Sequence, residues 1–510
     1  MTDDGGEIDQ DLGNYERFLG FEIPKRNNIT TGQVYKELID RERRGDFLGQ
    51  TVEVIPHVPN EIKRRIKEAA QGYDFVLVEI GGTIGDYQNL PYLFAAKGLE
   101  LELGRSNVAY ILVTYLPVPS NIGEMKTKPT QHAVMMLNQA GIFPDFLLCR
   151  APVPVDDVRK KKMEQNANID ADNIISAPDV DNVYRVPLNF EKEQLGRKLL
   201  KRFSLLPRKE PDWSEWKQLV GNIDSPGQKI KIAMVGKYID IGDFSLSDSY
   251  ISVNQALQHA GAQLGVHAGI SWVDAKLIEK QGAGILGNYS GVIVPGGFGS
   301  AGVEGKIKAI EYARKNNLPF LGLCYGLQLA TVEYGRNVCK MDGANTTEVD
   351  PETKFPVIDV LPAQKKILEE SRYGATMRLG AFAAVLKENT RVLDLYKRTG
   401  RLLADIKRIE EIKANGQQFR LGVIDAQYNV VLERHRHRFE VNPRFVEQLG
   451  QAGMVFSGFH QREDGTKLME YIELPHHKFF VGTQAHPEFK SRLGDPSPLF
   501  FGFVEACAKS

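Results

Sequence analysis

Residues 319–328 read PFLGLCYGLQ. Pro319, Phe320, Leu321 and Leu323 make a short apolar run broken only by Gly322, and Leu327, Leu329, Ala330 and Val332 follow at helix-like spacing. The pattern predicts a buried strand turning sharply into a helix, with the Cys324 thiol at the turn. Gly322 and Gly326 remove side-chain bulk on either side, as a strained turn that presents a nucleophile requires. Amides at a helix N-terminus would also favour the thiolate. The same stretch fits a buried structural cysteine equally well, so partners elsewhere in the chain must decide.

Those partners come from both directions. Upstream, the expected strand 291–294 ends in PGGFG (residues 295–299), a turn whose free backbone N–H groups suit an oxyanion. Far downstream, QAHPEF supplies His486 and Glu488. A thiol needs a base and the base an orienting carboxylate, and Cys324, His486 and Glu488 can fill those roles. On a strand, a His and a Glu two apart would share a face. KIAMVGKY (231–238) opens this half as a strand, and a helix capped by Ser247 follows it.

The first half repeats the βα alternation: a helix over 60–70, then strands over 75–79, 108–116 and 146–150. The fold class is therefore α/β, with two doubly wound domains. Glu79, at the carboxyl end of its strand, suits Mg²⁺, and GGTIGD (81–86) reads as a glycine turn. GEMKTKPTQH (123–132) brings Lys126 and Lys128 to one side of an extended segment, as phosphate binding by point charges would need. The carboxylate-rich start, with Asp9 and Asp11, reads either as a frayed tail or as a loop of oxygen ligands for a hard cation. Pro, Gly and polar residues place a linker at 208–229, between domains at 1–207 and 230–510.

The totals narrow the class. At 510 residues the chain has room for at least two cores. It is 42% hydrophobic and 25% charged, which argues against disorder. A net charge of −1 offers nucleic acid or membrane no general attraction. Cys149, Cys324, Cys339 and Cys507 are too sparse for a disulfide framework and match no zinc spacing, so a reducing cytoplasm is the default. We find no bilayer-length apolar run and no signal peptide.

PGGFG, G-x-C-x-G and HPE in that order resemble the class I glutamine amidotransferases. Together with ANTTE (344–348), TMRLG (376–380), ERHRHRFEVN (433–442), IGGTIGD and GEMKTKPTQH, they resemble the CTP synthase family over nearly the whole chain. The resemblance implies a P-loop-NTPase-like synthetase (amidoligase) domain followed by a glutaminase domain. It implies ATP phosphorylating the 4-oxygen of UTP, and ammonia from L-glutamine, passed through an internal tunnel, displacing that phosphate to give CTP. Cys324, His486 and Glu488 would be the triad, and Gly297 with the Tyr325 amide the oxyanion hole. Gln328, Glu348 and Arg438 would hold glutamine. Asp11 and Glu79 would hold Mg²⁺, and Asp11, Asp86, Lys126, Lys128 and Gln131 would bind nucleotide. Activation by GTP, inhibition by CTP and a cytoplasmic homotetramer are further family properties.

The chain departs from the family in several places. Members begin with a strand and a phosphate loop of the kind GGVVSSLGKG, and no such loop occurs here; Gly236-Lys237 and Gly305-Lys306 lack its context. We therefore expect in-frame codons for a glycine-rich loop upstream of Met1; the alternative is a glutaminase with an inactive synthetase half. An inert assembly partner would have no use for the triad. Gln88 and Pro178 stand where many members have Glu and Lys near the nucleotide, and Tyr325 replaces the usual Leu. The segment 396–430 exceeds the family norm, and Leu402, Leu403, Ile406, Ile409 and Ile412 give it the pattern of an inserted amphipathic helix. Such a helix would cover the glutaminase site, contact a neighbouring subunit or simply elaborate the surface.

Overall fold

The computed structural model describes residues 1–236, 250–360, 377–414, 421–424 and 429–509. Lys237, Tyr238, the expected cap Ser247, Thr376, and 415–420 and 425–428 of the expected insertion lie outside the described residues. The chain divides into two units, Arg26–Val220 and a second made of Met1–Lys25 with Gly221–Ser510. The first helix, α1 (Gln10–Leu19), thus packs with the C-terminal half of the chain.

The Arg26–Val220 unit is built on a three-stranded parallel sheet in the order β1 (Ile111–Tyr115), β2 (Phe146–Ala151), β3 (Ile174–Pro178). Leu112, Leu147, Cys149 and Ile174 pack on one face with Val134 and Leu137; Phe146, Leu148 and Ile175 pack on the other with Leu195. The helix expected over 60–70 is α2 (Val54–Ala69). The strand expected over 75–79 does not form. This stretch pairs with no strand among the described residues, and Phe75, Val76, Leu77 and Val78 are exposed. An apolar run becomes a strand only where a ladder partner takes up its N–H and C=O groups, so Glu79 does not end a buried strand.

Lys126 and Lys128 do not share an extended segment either. Lys128 opens helix α3 (Lys128–Gln139), while Lys126 precedes it and pairs with Glu124 at 2.8 Å. Residues 208–229, read as a linker, contain helix α4 (Ser214–Asp224). Trp216 docks that helix, its Nε1 donating to the Tyr184 carbonyl at 2.8 Å.

Among the described residues, the second unit is built on a nine-stranded sheet. Its parallel part comprises β4 (Gln228–Gly236), β5 (Val266–Asp274), β6 (Gly291–Val294), β7 (Phe320–Leu323) and the late strand 480–483. Successive side chains face opposite ways. Ala233, Val235, Val292, Val294 and Phe320 therefore pack one helical layer, and Ile232, Met234, Ile293, Leu321 and Leu323 the other. Such two-sided burial is what doubly wound packing demands of parallel strands. Helix α5 (Ile251–Leu264) covers the second face, and α6 (Val303–Lys315) and α7 (Tyr325–Asn337) the first.

Beyond this core lies an antiparallel extension that the expected doubly wound plan does not contain. β8 (Asn345–Thr346) and β9 (Pro356–Val360) join a small separate sheet. β10 (Arg378–Leu386) pairs antiparallel with β11 (Val430–His437). β12 (Phe439–Val441) completes the small sheet. β13 (Val455–Gln461) and β14 (Lys467–Glu473) connect the extension to β15 (Phe480–Thr483).

The segment expected to be inserted does contain a helix. After α8 (Arg391–Arg398), α9 (Arg401–Ala414) lays Ile409 against Ala381, Ala383, Val430 and Leu432, and leaves Leu403 74% exposed. It also buries Arg401 and Asp405. Asp405 accepts from Arg401 Nε at 2.9 Å and from the Leu432 amide at 3.0 Å. Arg401 reaches the Lys490 carbonyl at 3.3 Å, just past Glu488. The helix therefore braces β11 and the turn carrying Glu488 rather than elaborating the surface.

The acidic start is not frayed. Asp9 caps α1, and Thr2 is fully buried. Arg434 of β11, 1% exposed at its side chain, pairs with Asp3 at 2.7 Å, with Glu16 at 2.7 and 2.8 Å, and with Glu22. Burial alone would raise the Glu22 carboxyl, but the charges of Arg434, Lys490 and Arg492 outweigh it and hold the group well below the usual range.

Candidate active site

Cys324 sits between β7 and α7 with φ 49° and ψ −97°, a left-handed backbone that costs a non-glycine residue about 1–3 kcal/mol. The turn is over-determined. The Cys324 amide donates to the Thr483 carbonyl at 2.7 Å and its carbonyl accepts from the Gln328 amide at 3.2 Å. A Cβ on Gly326 would lie 2.1 Å from the Val294 carbonyl oxygen, and one on Gly322 2.8 Å from the Gly326 carbonyl carbon. Only glycine lets the three backbone segments close around the cysteine.

His486 faces this turn from the end of β15. Its Nδ1 is 2.7 Å from Glu488 Oε1, which leaves Nε2 as the ring nitrogen available to Cys324. The pair is not on a strand: β15 stops at Thr483, and Glu488 lies in the short 3₁₀ turn Pro487–Lys490. That turn brings the carboxylate back to the ring, where an extended backbone would only have aligned the two. Burial opposes charge on the imidazole, but Glu488 and Cys324 outweigh it and push the group up to about 10. The ring is therefore an imidazolium at neutral pH. Phe489 stacks on the ring at 5.1 Å, and the His486 amide donates to the Arg434 carbonyl at 2.8 Å.

The PGGFG turn lies against the same groups. A Cβ on Gly296 would meet His486 Cε1 at 2.7 Å, and one on Gly297 would lie 3.7 Å from the Tyr325 ring. The turn is fastened from two sides: the Tyr325 hydroxyl donates to the Gly299 carbonyl at 2.8 Å, and the Gly299 amide donates to Glu348 at 2.9 Å. Burial raises the Tyr325 phenol, which keeps it a donor. Tyr325 thus fastens the glycine turn through its hydroxyl, a role the sequence reading did not assign it. Gln328 donates to the Phe439 carbonyl at 3.0 Å, beside the half-buried Arg438.

The sequence reading also missed Gln484, Thr483 and Lys306, all fully or almost fully buried around Cys324 and the glycine turn. Gln484 and Thr483 stand just before His486 and carry neither an acid nor a base, so their residue types signal no chemistry.

The nucleotide and metal candidates are less gathered. Asp11 is exposed on the first turn of α1, in one unit, whereas Glu79, Asp86, Lys126, Lys128 and Gln131 belong to the other. Asp86 closes the glycine turn by accepting from the Thr83 amide at 3.0 Å. Lys128 and Gln131 line a pocket of about 520 Å³ with His132 and Met135. Among the described residues no group of three or more His, Cys, Asp or Glu could hold a metal ion. No described helix is long and apolar enough to cross a membrane.

Residues 1–205 match the family described as CTP synthase N-terminus, and residues 245–506 match Glutamine amidotransferase class-I. A CTP synthase of Thermococcus kodakarensis is 46% identical over 509 residues, spanning 100% of this chain and 88% of the relative. A CTP synthase of Methanocaldococcus jannaschii is 44% identical, over 99% and 87%. A solved structure described as the glutaminase domain of Trypanosoma brucei CTPS with bound acivicin is 32% identical. It covers 55% of this chain and 94% of its own, with a TM-score of 0.45.

Proposed function

The chain belongs to the CTP synthase family, and we propose that Cys324, His486 and Glu488 are the groups that draw ammonia from L-glutamine for its reaction. That reaction is the ATP-dependent amination of UTP to CTP, catalysed by a C–N ligase. Cys324 Sγ attacks the side-chain carboxamide carbon, and the developing oxyanion is met by the amides of Gly297 and Tyr325. The His486 imidazolium protonates the departing nitrogen, so ammonia leaves and a thioester remains. Water activated by the now neutral imidazole hydrolyses the thioester to glutamate and restores the thiol. Arg438 suits the substrate α-carboxylate and Glu348 its α-ammonium, while Gln328 completes the contact.

In the synthetase half, ATP phosphorylates the uracil 4-oxygen and ammonia displaces that phosphate, giving CTP, ADP and phosphate. Lys126, Lys128 and Gln131 are the residues we assign to the pyrimidine nucleotide, and Asp11 and Asp86 join them as nucleotide-binding residues. Asp11 and Glu79 have the hard oxygen atoms Mg²⁺ prefers, but they form no cluster within either unit, and no step above depends on the ion. GTP as activator, CTP as inhibitor, a homotetramer and a cytoplasmic location complete the proposal. The family match extends over both halves, so nothing favours a glutaminase with an inert synthetase half.

One observation carries the glutaminase assignment: a strained Cys324 whose charge acts on an imidazole that Glu488 holds at 2.7 Å. CTP formation from UTP and ATP, measured first with glutamine and then with ammonium salt, tests it. Glutamine hydrolysis without CTP from either nitrogen source would overturn the ligase reading. CTP from ammonium but not from glutamine would overturn the triad.

A further inference from the structure

Gln484 has no exposed surface and directly precedes the catalytic turn. Its side chain spans two groups that the proposed reaction uses. Nε2 approaches Cys324 Sγ at 3.6 Å, and Oε1 accepts from Gln328 Nε2 at 3.3 Å. Gln328 Nε2 also donates to the Phe439 backbone carbonyl at 3.0 Å. That last contact sets the direction of the whole chain. A backbone carbonyl can only accept, so Gln328 must present its nitrogen there; the neighbouring Gln484 atom must then be oxygen, and the Gln484 amide is left facing the sulfur. The backbone holds the donor rigidly, since the Gln484 amide donates to the Glu470 carbonyl at 2.8 Å and the adjoining Thr483 carbonyl accepts from the Cys324 amide.

We propose that Gln484 is a catalytic residue of glutamine hydrolysis, donating a hydrogen bond to the Cys324 sulfur whenever that atom carries negative charge. This rests on the reading of Cys324 as nucleophile. A hydrogen bond to an anion is roughly twice as strong as one between neutral groups. The contact therefore favours the thiolate over both the thiol and the thioester, before attack and again as the thioester breaks down. No water reaches this donor to replace it, because the residue is fully buried. Gln484 also ties the nucleophile to Gln328, so that the glutamine-binding side chain and the sulfur move as one unit.

The test compares Gln484→Met, which keeps the length but removes the donor, with Gln484→Glu, which puts an acceptor in its place. Alkylation of Cys324 by iodoacetamide, without glutamine and resolved from the other cysteines by mass spectrometry, reads the sulfur directly. We expect Q484M to react about tenfold slower than the native chain at pH 7, Q484E to be slower still, and the Q484M deficit to shrink at about pH 10, where the bulk pH itself favours the thiolate. The kcat for glutamine should fall about tenfold or more in Q484M, with KM within about threefold. Native alkylation rates at pH 7 in a folded Q484M, or an equal deficit at both pH values, would overturn the proposal. Glutamine hydrolysis by the native chain is measured alongside: its absence would refute the glutaminase reading, whereas alkylation judges Gln484 on the sulfur alone.

Discussion

In the unit containing Gly221–Ser510, strands β4, β6 and β7 are covered on both faces, whereas β1 of the Arg26–Val220 unit turns Ile111, Val113 and Tyr115 outward, with Val113 62% exposed. Their candidate sites differ in the same way. The glutaminase groups stand at the carboxyl ends of covered strands, and the Cys324 and His486 amides are each tied to the backbone of a neighbouring element. Lys126, Lys128 and Asp86 stand on loops and at the exposed start of a helix. A site at the edge of a doubly covered sheet inherits the rigidity of two cores. Loop-borne groups have only local hydrogen bonds to hold them until a ligand supplies the rest.

Cys324→Ala should test this contrast with the largest effect. Loss of the nucleophile should cut glutamine-dependent CTP formation at least about 10³-fold while sparing ammonia-dependent synthesis; loss of both would show that the two sites are not separable. Arg434→Met comes next. It leaves Asp3, Glu16 and Glu22 facing one another, and should cost about 3–5 kcal/mol in denaturant unfolding, with partial recovery when Glu16→Gln is added.

Glu488→Gln probes the electrostatics. The imidazole pushed up to about 10 is protonated below that value and neutral above it. Removing the carboxylate that raises it should move the alkaline limb of glutamine hydrolysis to lower pH, along with a fall in kcat of about 10²-fold. An unmoved limb would assign that limb to another group.

Packing offers a gentler test. Val292→Ala, fully buried in β6, should cost about 2–3 kcal/mol, and Val113→Ala on the open face of β1 under about 0.5 kcal/mol. Equal costs would mean that a partner covers β1. The smallest difference lies in α9. Asp405→Asn, which weakens the Arg401 and Leu432 contacts, should cost about 1–3 kcal/mol. Leu403→Ala should leave unfolding within about 0.5 kcal/mol of the native chain.

Much of this was legible beforehand, for a physical reason. The strand 320–323, the break at Cys324 and the helix after it are encoded within a dozen residues, because two glycines and a change of hydrophobic period suffice to specify them. The stretch 75–79 has an equally strandlike pattern and did not pair, since a strand exists only with a neighbour, and no local pattern reports the neighbour. His486 and Glu488 could be named as a pair, but their geometry came from a 3₁₀ turn that Pro487 opens, not from strand alternation. The acidic start could have been a frayed tail and is not, because Asp3, Glu16 and Glu22 found Arg434, more than four hundred residues away in the chain.

The sequence by itself therefore determined the kinds of groups, their order and the family they belong to, since short-range spacing and side-chain chemistry are local properties. Only the tertiary structure decided which carboxylates meet Arg434, that α9 braces the turn carrying Glu488, and that the Gln484 amide faces the sulfur. Each of those contacts joins residues distant in the chain, and their worth depends on burial, which only the folded core creates.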